Sequence, residues 1–406
     1  MTICENKICT GCAACREVCP KGCISFEADG LGALYPQIDV SKCTECGLCH
    51  NICPNNRPPI YHHPKRAFAA WSNDADTRRT SASGGVATEM YRLFLSEGGR
   101  CVGVRYDIEK GAIYQFVENE QDIRLVRNSK YTYSYTNGIY REVKNALKAG
   151  VEVLFIGLPC QVSGLQNFLK RDYDNLYTVD IICHGVAPTE YIQQHVKRVE
   201  STKSSKTTEV IFRDPTKGTH RFFLSLYDKS KCFYSKNMEA ADLYQIGYHK
   251  ALIYRENCYR CAHARAERVG DLTIGDFSGL GRDASCSYNG IGVSCVLANT
   301  EKGLKLVKRL SQRISLFERP LSEALNYEGQ LRQPSAKHPQ REQFEASYKA
   351  TANFEESAKR ALKQDVRRFK MAKLSPMPYF RACVRALTTP QIRAKIKKMI
   401  KFVGNV

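Results

Sequence analysis

One spacing of cysteines occurs twice within the first 54 residues. Cys9, Cys12, Cys15 and Cys19 precede Pro20, and Cys43, Cys46, Cys49 and Cys53 precede Pro54, each run reading C-x2-C-x2-C-x3-C-P. Eight thiols at fixed intervals in so short a stretch dictate a segment that folds around what it binds. Two-residue gaps let three thiolates of one tight loop face one side of a cubane, while the proline turns the chain and aims the fourth cysteine at the neighbouring site. The spacing therefore predicts a crossed set: Cys9, Cys12 and Cys15 with Cys53 on one 4Fe-4S cluster, and Cys43, Cys46 and Cys49 with Cys19 on a second. Zinc also takes C-x2-C pairs, but it needs neither the third step nor the C-x3-C-P ending. Between the runs, Cys23 to Phe26 and Leu34 to Ile38 read as a hairpin around Asp29-Gly30. Cys4 and Cys23 lie outside both runs and are expected not to bind metal.

The pattern resembles a bacterial two-cluster ferredoxin, so residues 1–60 are expected to form an α+β ferredoxin-like 2x4Fe-4S module. The whole chain has 406 residues and 19 cysteines, room for about two to three domains. The N-terminus shows no basic segment followed by an apolar run, which points to reduced thiols and a cytoplasmic setting. No window approaches the ~20 apolar residues of a membrane span. The formal charge of +20 is concentrated at one end: residues 351–406 carry 14 basic and three acidic side chains, whereas residues 1–60 carry five and six.

A breaker-rich linker, Pro54 to Pro64, is expected to end the module. Beyond it, apolar runs alternate with helical patterns, the signature of an α/β architecture. Strands are expected at Val102 to Tyr106, Val151 to Gly157, Tyr177 to Cys183, Glu209 to Arg213, Arg221 to Tyr227 and Leu272 to Phe277. Helices are expected at Thr88 to Glu97, Asn137 to Ala149, Ser163 to Lys170 and Glu190 to Glu200, with Ser201 to Thr208 a polar loop. The domain reading is 65–150, 151–345 and a basic helical tail, 346–406. In that tail Ile392, Ile396, Met399, Ile400 and Val403 share one helical face among lysines, which suits peripheral contact with an anionic inner membrane face or an acidic partner as well as an ordinary solvated helix.

Three patterns in the large region carry chemistry. Ser83-Gly84-Gly85 opens an amphipathic helix, with Ser83 as its N-cap and glycine amides free to approach a phosphate. Cys160 and Cys183 each follow a strand, at the sheet edge where ligands of open α/β sheets collect. Cys258 and Cys261 add a C-x2-C pair, so four thiols can hold a third 4Fe-4S cluster, a zinc ion, or nothing.

Together SASGGVATEM, SKYTYS, VLFIGLPCQVSGL, VDIICHGVAP and CYRCAHARAERVGDLTIGDF make the chain resemble the coenzyme F-420 hydrogenase/dehydrogenase beta subunit (FrhB-like) family from Ala67 to about residue 340. The resemblance implies an α/β mixed-sheet flavin-binding domain and an iron–sulfur flavoprotein oxidoreductase that passes electrons between a hydride carrier and ferredoxin-type clusters via FAD. It implies Ser83, Gly84, Gly85, Lys130, Asp271, Gly275 and Asp276 near the flavin, and Cys160, Cys183, Cys258 and Cys261 on an inner cluster. The implied partners are an organic hydride donor or acceptor and a redox partner protein or ferredoxin. Ser278 stands where many relatives carry Trp, which leaves the substrate open. His184 reads as a structural histidine, since hydride transfer needs no protein base. The competing reading is an electron-wiring adaptor that uses the ferredoxin clusters only. Nucleic acid is not an expected partner, because Ala358 to Lys373 has Phe369 as its one aromatic residue.

Overall fold

The computed structural model describes residues 2–288 and 292–374. The N-terminal module pairs strands β1 (Ile24–Ala28) and β2 (Leu34–Ile38) antiparallel beside two short helices, Ala14–Val18 and Leu48–Ile52. Each helix is entered through two left-handed residues, Gly11 (φ 70°) and Ala13 (φ 61°) in the first run, Glu45 (φ 51°) and Gly47 (φ 72°) in the second. These fall two and four residues after the first cysteine of each run. Each helix stops at the fourth cysteine, Cys19 or Cys53, which is extended, the conformation a following proline favours.

The rest of the chain adds β3 (Arg66–Ser72), β4 (Arg100–Asp107), β5 (Gly111–Val117), β6 (Ser134–Tyr135), β7 (Val153–Gly157), β8 (Leu176–Ile181), β9 (Glu209–Ile211), β10 (Leu224–Asp228), β11 (Lys231–Lys236), β12 (Leu272–Asp276), β13 (Ser294–Ala298) and β14 (Ile314–Arg319). Among the described residues they form a nine-stranded sheet, ordered β14-β3-β13-β12-β8-β7-β4-β5-β6, and a three-stranded one, β11-β10-β9. The centre, β12-β8-β7-β4, is parallel. Both of its faces are covered, which is why β7 reads as an unbroken apolar run. Leu154 packs with Phe94, Val179 and Leu272 on one face, and Phe155 with Val162, Leu165 and Phe168 on the other. The parallel strands bring Gly157, Ile181 and Asp276 to one edge.

Three sequence expectations are corrected here. A boundary at residue 150 does not divide the fold, because strands from both sides of it interleave in one sheet. Nor is 346 the start of an independent tail. Phe344, Tyr348, Phe354, Ala358 and Leu362 sit in one core with Tyr191, Ile192 and Tyr244; the basic amphipathic pattern at Ile392 to Val403 lies outside the described residues. The expected polar loop begins later, because the helix Thr189–Lys203 takes in its first three residues and leaves Ser204 to Thr208 as loop. Among the described residues no helix is long and apolar enough to cross a membrane.

The ferredoxin-type module is keyed into the large domain. Cys12, Ala14 and Ile52 share a core with Tyr140, Phe155 and Leu165. The Glu17 carboxylate accepts N–H bonds from Tyr140 (3.0 Å) and Arg141 (3.2 Å), capping the helix Ile139–Lys148, whose own N-cap Gly138 has no side chain to offer. Tyr133 Oη donates to Gly11 O (2.6 Å), Tyr191 Oη to Leu31 O (2.6 Å), and Asn167 Nδ2 to Ile52 O (3.1 Å) and Arg57 O (2.8 Å). The expected spacer is docked as well: His62 and Arg268 exchange backbone hydrogen bonds of 2.7 and 2.8 Å.

Candidate redox site

The thiols of the two runs gather crosswise. Cys53 stands close enough to Cys12 and Cys15 to act on both electrostatically. Cys19, Cys43, Cys46 and Cys49 line a separate cavity. Burial pushes the Cys12 thiol up to about 12, with Cys53 and Cys9 adding to it. Each cradle also holds a fifth thiol. Cys4 lies beside Cys53 and Cys9, and the Cys23 and Cys19 sulfurs lie 3.4 Å apart.

A third group of thiols lies at the sheet edge. Cys160 occupies the first turn of the helix Pro159–Leu169 directly after β7; Cys183 follows β8; Cys258 lies in the 3-10 turn Glu256–Arg260, which ends at Cys261. All four line one cavity. Burial pushes Cys160 well above the usual thiol range, followed by the fields of Cys261, Cys183, Cys12 and Cys258. Four thiolates so placed repel one another, so the donor set fits a multiply charged cationic core. Among the described residues no three His, Cys, Asp or Glu side chains converge on a single metal ion.

The inner cavity adjoins the first cradle, since Thr10 lines it and Cys12 acts on Cys160. The approach depends on Gly164, where an added Cβ would stand 3.0 Å from Cys12 Cβ and 3.1 Å from its sulfur. Arg268, 2% exposed, closes the cavity wall and spans to Asp180 Oδ1 on β8 (2.7 Å).

Beside this cavity a cleft of about 440 Å³ opens over the carboxyl ends of β7, β8 and β12, within the range of small-molecule sites. Leu158 and His184 line both spaces. Ser83, Gly85, Lys130, Gly275 and Asp276 line the cleft; Gly84 and Asp271 do not. Gly84 is pressed against the sheet, its N–H donating to Ser294 Oγ (2.9 Å), with room for no Cβ because Ala70 O would lie 2.3 Å away. Asp271 sits at the opposite end of β12, accepting from Thr178 N (2.9 Å) and Thr300 Oγ1 (2.7 Å). Ser83 is not the N-cap. The helix Val86–Ser96 is capped by Gly85 (φ 81°) with no side-chain bond, and the Ser83 hydroxyl donates to Val293 O (3.1 Å). The first residues of this helix, Val86, Ala87 and Thr88, line the cleft, and the first amides of a helix have no intrahelical acceptor.

Lys130 Nζ donates to the carbonyls of Val126 (2.8 Å) and Arg127 (2.7 Å) at the end of the helix Glu120–Val126. Burial and then Arg127 press its ammonium down to about 7, an effect these carbonyls oppose. The cleft also contains groups that spacing did not reveal. Arg127 Nε and His249 Nε2 are buried without hydrogen-bond partners, and burial holds His249 neutral, down to about 3. Tyr131 stacks on Tyr248 with centroids 4.5 Å apart, Arg213 pairs with Asp276 (2.7 Å), and Ser278 Oγ donates to Glu328 Oε2 (2.6 Å). Unpartnered donors, an uncapped helix end and an aromatic wall fit an anionic ligand with a planar ring.

Fold and thiol arrays together define an iron–sulfur electron-transfer protein. Residues 8–57 match the 4Fe-4S dicluster domain, and residues 150–324 match the family formed by the C terminus of the coenzyme F420 hydrogenase/dehydrogenase beta subunit. Two family models thus match successive stretches of the chain. A comparison with curated proteins finds no match. Among solved structures, the chain is similar to one in the F420-reducing [NiFe] hydrogenase complex from Methanosarcina barkeri, at 17% identity, covering 63% of this chain and 82% of that one, with a TM-score of 0.41.

Proposed function

We propose that the chain is a flavin-dependent iron–sulfur oxidoreductase, passing electrons between an organic hydride carrier, such as a deazaflavin coenzyme, and ferredoxin-type clusters. One observation carries this reading: the ligand-sized cleft and the four-thiol cavity share the wall formed by Leu158 and His184. In it, Cys9, Cys12, Cys15 and Cys53 hold one 4Fe-4S cluster, Cys19, Cys43, Cys46 and Cys49 a second, and Cys160, Cys183, Cys258 and Cys261 a third. FAD, when bound, supplies the exchange between two-electron hydride chemistry and the one-electron steps of clusters. Arg127, Lys130 and the free amides at Val86 hold its phosphate, and Tyr131 with Tyr248 walls its ring. A redox partner protein exchanges electrons at the module. An adaptor with no productive cleft would not need a ligand-sized space lined by residues with unpartnered buried polar atoms, such as Arg127 and His249.

Anaerobic quantification of iron, sulfide and flavin tests the reading. The expected content is three 4Fe-4S clusters and one flavin per chain; cluster-replete protein that neither contains flavin nor takes up FAD or FMN would overturn it.

A further inference from the structure

Arg255 is 3% exposed and lies where the module meets the large domain. Its Nε donates to Cys9 O (3.1 Å), and its guanidinium lies 4.3 Å from the ring centre of Tyr35 and 5.9 Å from that of Tyr133. Nη2 is buried without a hydrogen-bond partner. Among the described residues no carboxylate lies within ion-pair distance of it, in contrast to the buried Arg268 and Arg341. A buried arginine stays charged, and burying a cation without a counter-charge is strongly unfavourable.

The counter-charge has to come from what surrounds it. Arg255 touches a ligand residue of each neighbouring site: its Nε donates to the Cys9 carbonyl (3.1 Å), and its own carbonyl accepts from Cys258 N (3.0 Å). A 4Fe-4S core with four thiolates is anionic and becomes more so by one charge when reduced. A fixed cation beside it stabilises the reduced form more than the oxidised one.

We propose that Arg255 is the positioning charge between the first ferredoxin cluster and the inner cluster, whose unpaired guanidinium raises both reduction potentials and so sets the electron step between module and large domain. The inference rests on the cluster assignment above. It adds a role that cysteine spacing does not carry, and it makes the first and inner clusters a pair tuned by one residue while the distal cluster, on Cys19, Cys43, Cys46 and Cys49, is tuned separately.

The test is an EPR-monitored redox titration of full-length, cluster-loaded protein. Arg255→Gln is expected to lower the midpoints of the first and inner clusters and leave the distal one in place. Arg255→Lys, which keeps the charge, restores them in large part. Tyr133→Phe, which removes the bond to Gly11 O without altering charge, leaves all three unchanged. Should the Gln variant fail to assemble clusters, Arg255→Met is titrated in its place, and the same two midpoints are expected to fall. Unchanged midpoints in Arg255→Gln or Arg255→Met overturn the inference, as does an equal drop in Tyr133→Phe. Wild-type protein that lacks the inner cluster overturns the assignment itself, a failure distinguishable by its iron content.

Discussion

Asp180 and Arg268 form the most enclosed ion pair near the inner cavity, at 0% and 2% exposure. The carboxylate also accepts from Val269 N (3.1 Å), Gly270 N (2.8 Å) and Thr273 Oγ1 (2.8 Å), so one side chain on β8 holds the turn that follows the C-x2-C segment. Asp180→Asn keeps the shape and strands Arg268 as an unpaired buried charge. It is expected to cost about 3–5 kcal/mol, read as a lower denaturant midpoint in the cluster-loaded protein. Gly84→Ala places a methyl group against Ala70 O, and overpacking of this kind costs about 1–3 kcal/mol. A loss of stability without loss of cofactor affinity would distinguish Gly84 from the cleft-lining Gly85. At this scale the cysteines were legible in the sequence because cluster geometry is satisfied by a local spacing. Arg127, Arg213, His249 and Glu328 were not, since four separate segments deliver them and no interval links them. Asp271 and Asp276 share one motif, but a strand lies between them and sends them to opposite ends of the sheet.

Among the elements, the helix Phe354–Ala361 is locked by a buried charge cluster. His195, on Thr189–Lys203, bonds Glu355 through Nδ1 and Asp242 through Nε2 (3.0 Å), and Tyr234 Oη donates to Asp242 (2.5 Å). Burial disfavours the imidazolium, but Asp242 and Glu355 overcome it and raise His195 to about 10. A raised pKa stabilises the fold fully below the unfolded value near 6.5 and loses that contribution as pH climbs toward 10. The wild type is therefore expected to lose thermal stability between about pH 6.5 and 10 more steeply than His195→Gln, measured as the difference in melting temperature across that range. This clamp is why the C-terminal stretch belongs to the core. Composition concealed it, because net charge marks residues 351–406 as a tail while Phe354, Ala358 and Leu362 carry the burial. The parallel centre was readable from the apolar runs at β7 and β8. β3 (RAFAAWS) and β13 (SCVLA) were not, because small residues in a strand covered on both faces give no alternation.

For the whole molecule, the module and the large domain share one core at Cys12, Ala14 and Ile52, and Glu17 caps a helix of the large domain. Stripping iron with a chelator is therefore expected to do more than unfold residues 1–57: it should lower the melting temperature of the remaining fold and raise hydrogen exchange in the helix Ile139–Lys148. Independent melting of the large domain at its holo temperature would contradict this. The cradles also differ in enclosure. Cys9, Cys12, Cys15 and Cys53 are buried, whereas Cys46 is exposed and Cys43 half-buried. In air, damage would begin at that outer cradle and leave the inner chemistry intact but disconnected. A preparation handled aerobically would then keep its colour and any small-molecule binding while failing to couple to its partner, and would pass for a protein that had never had one.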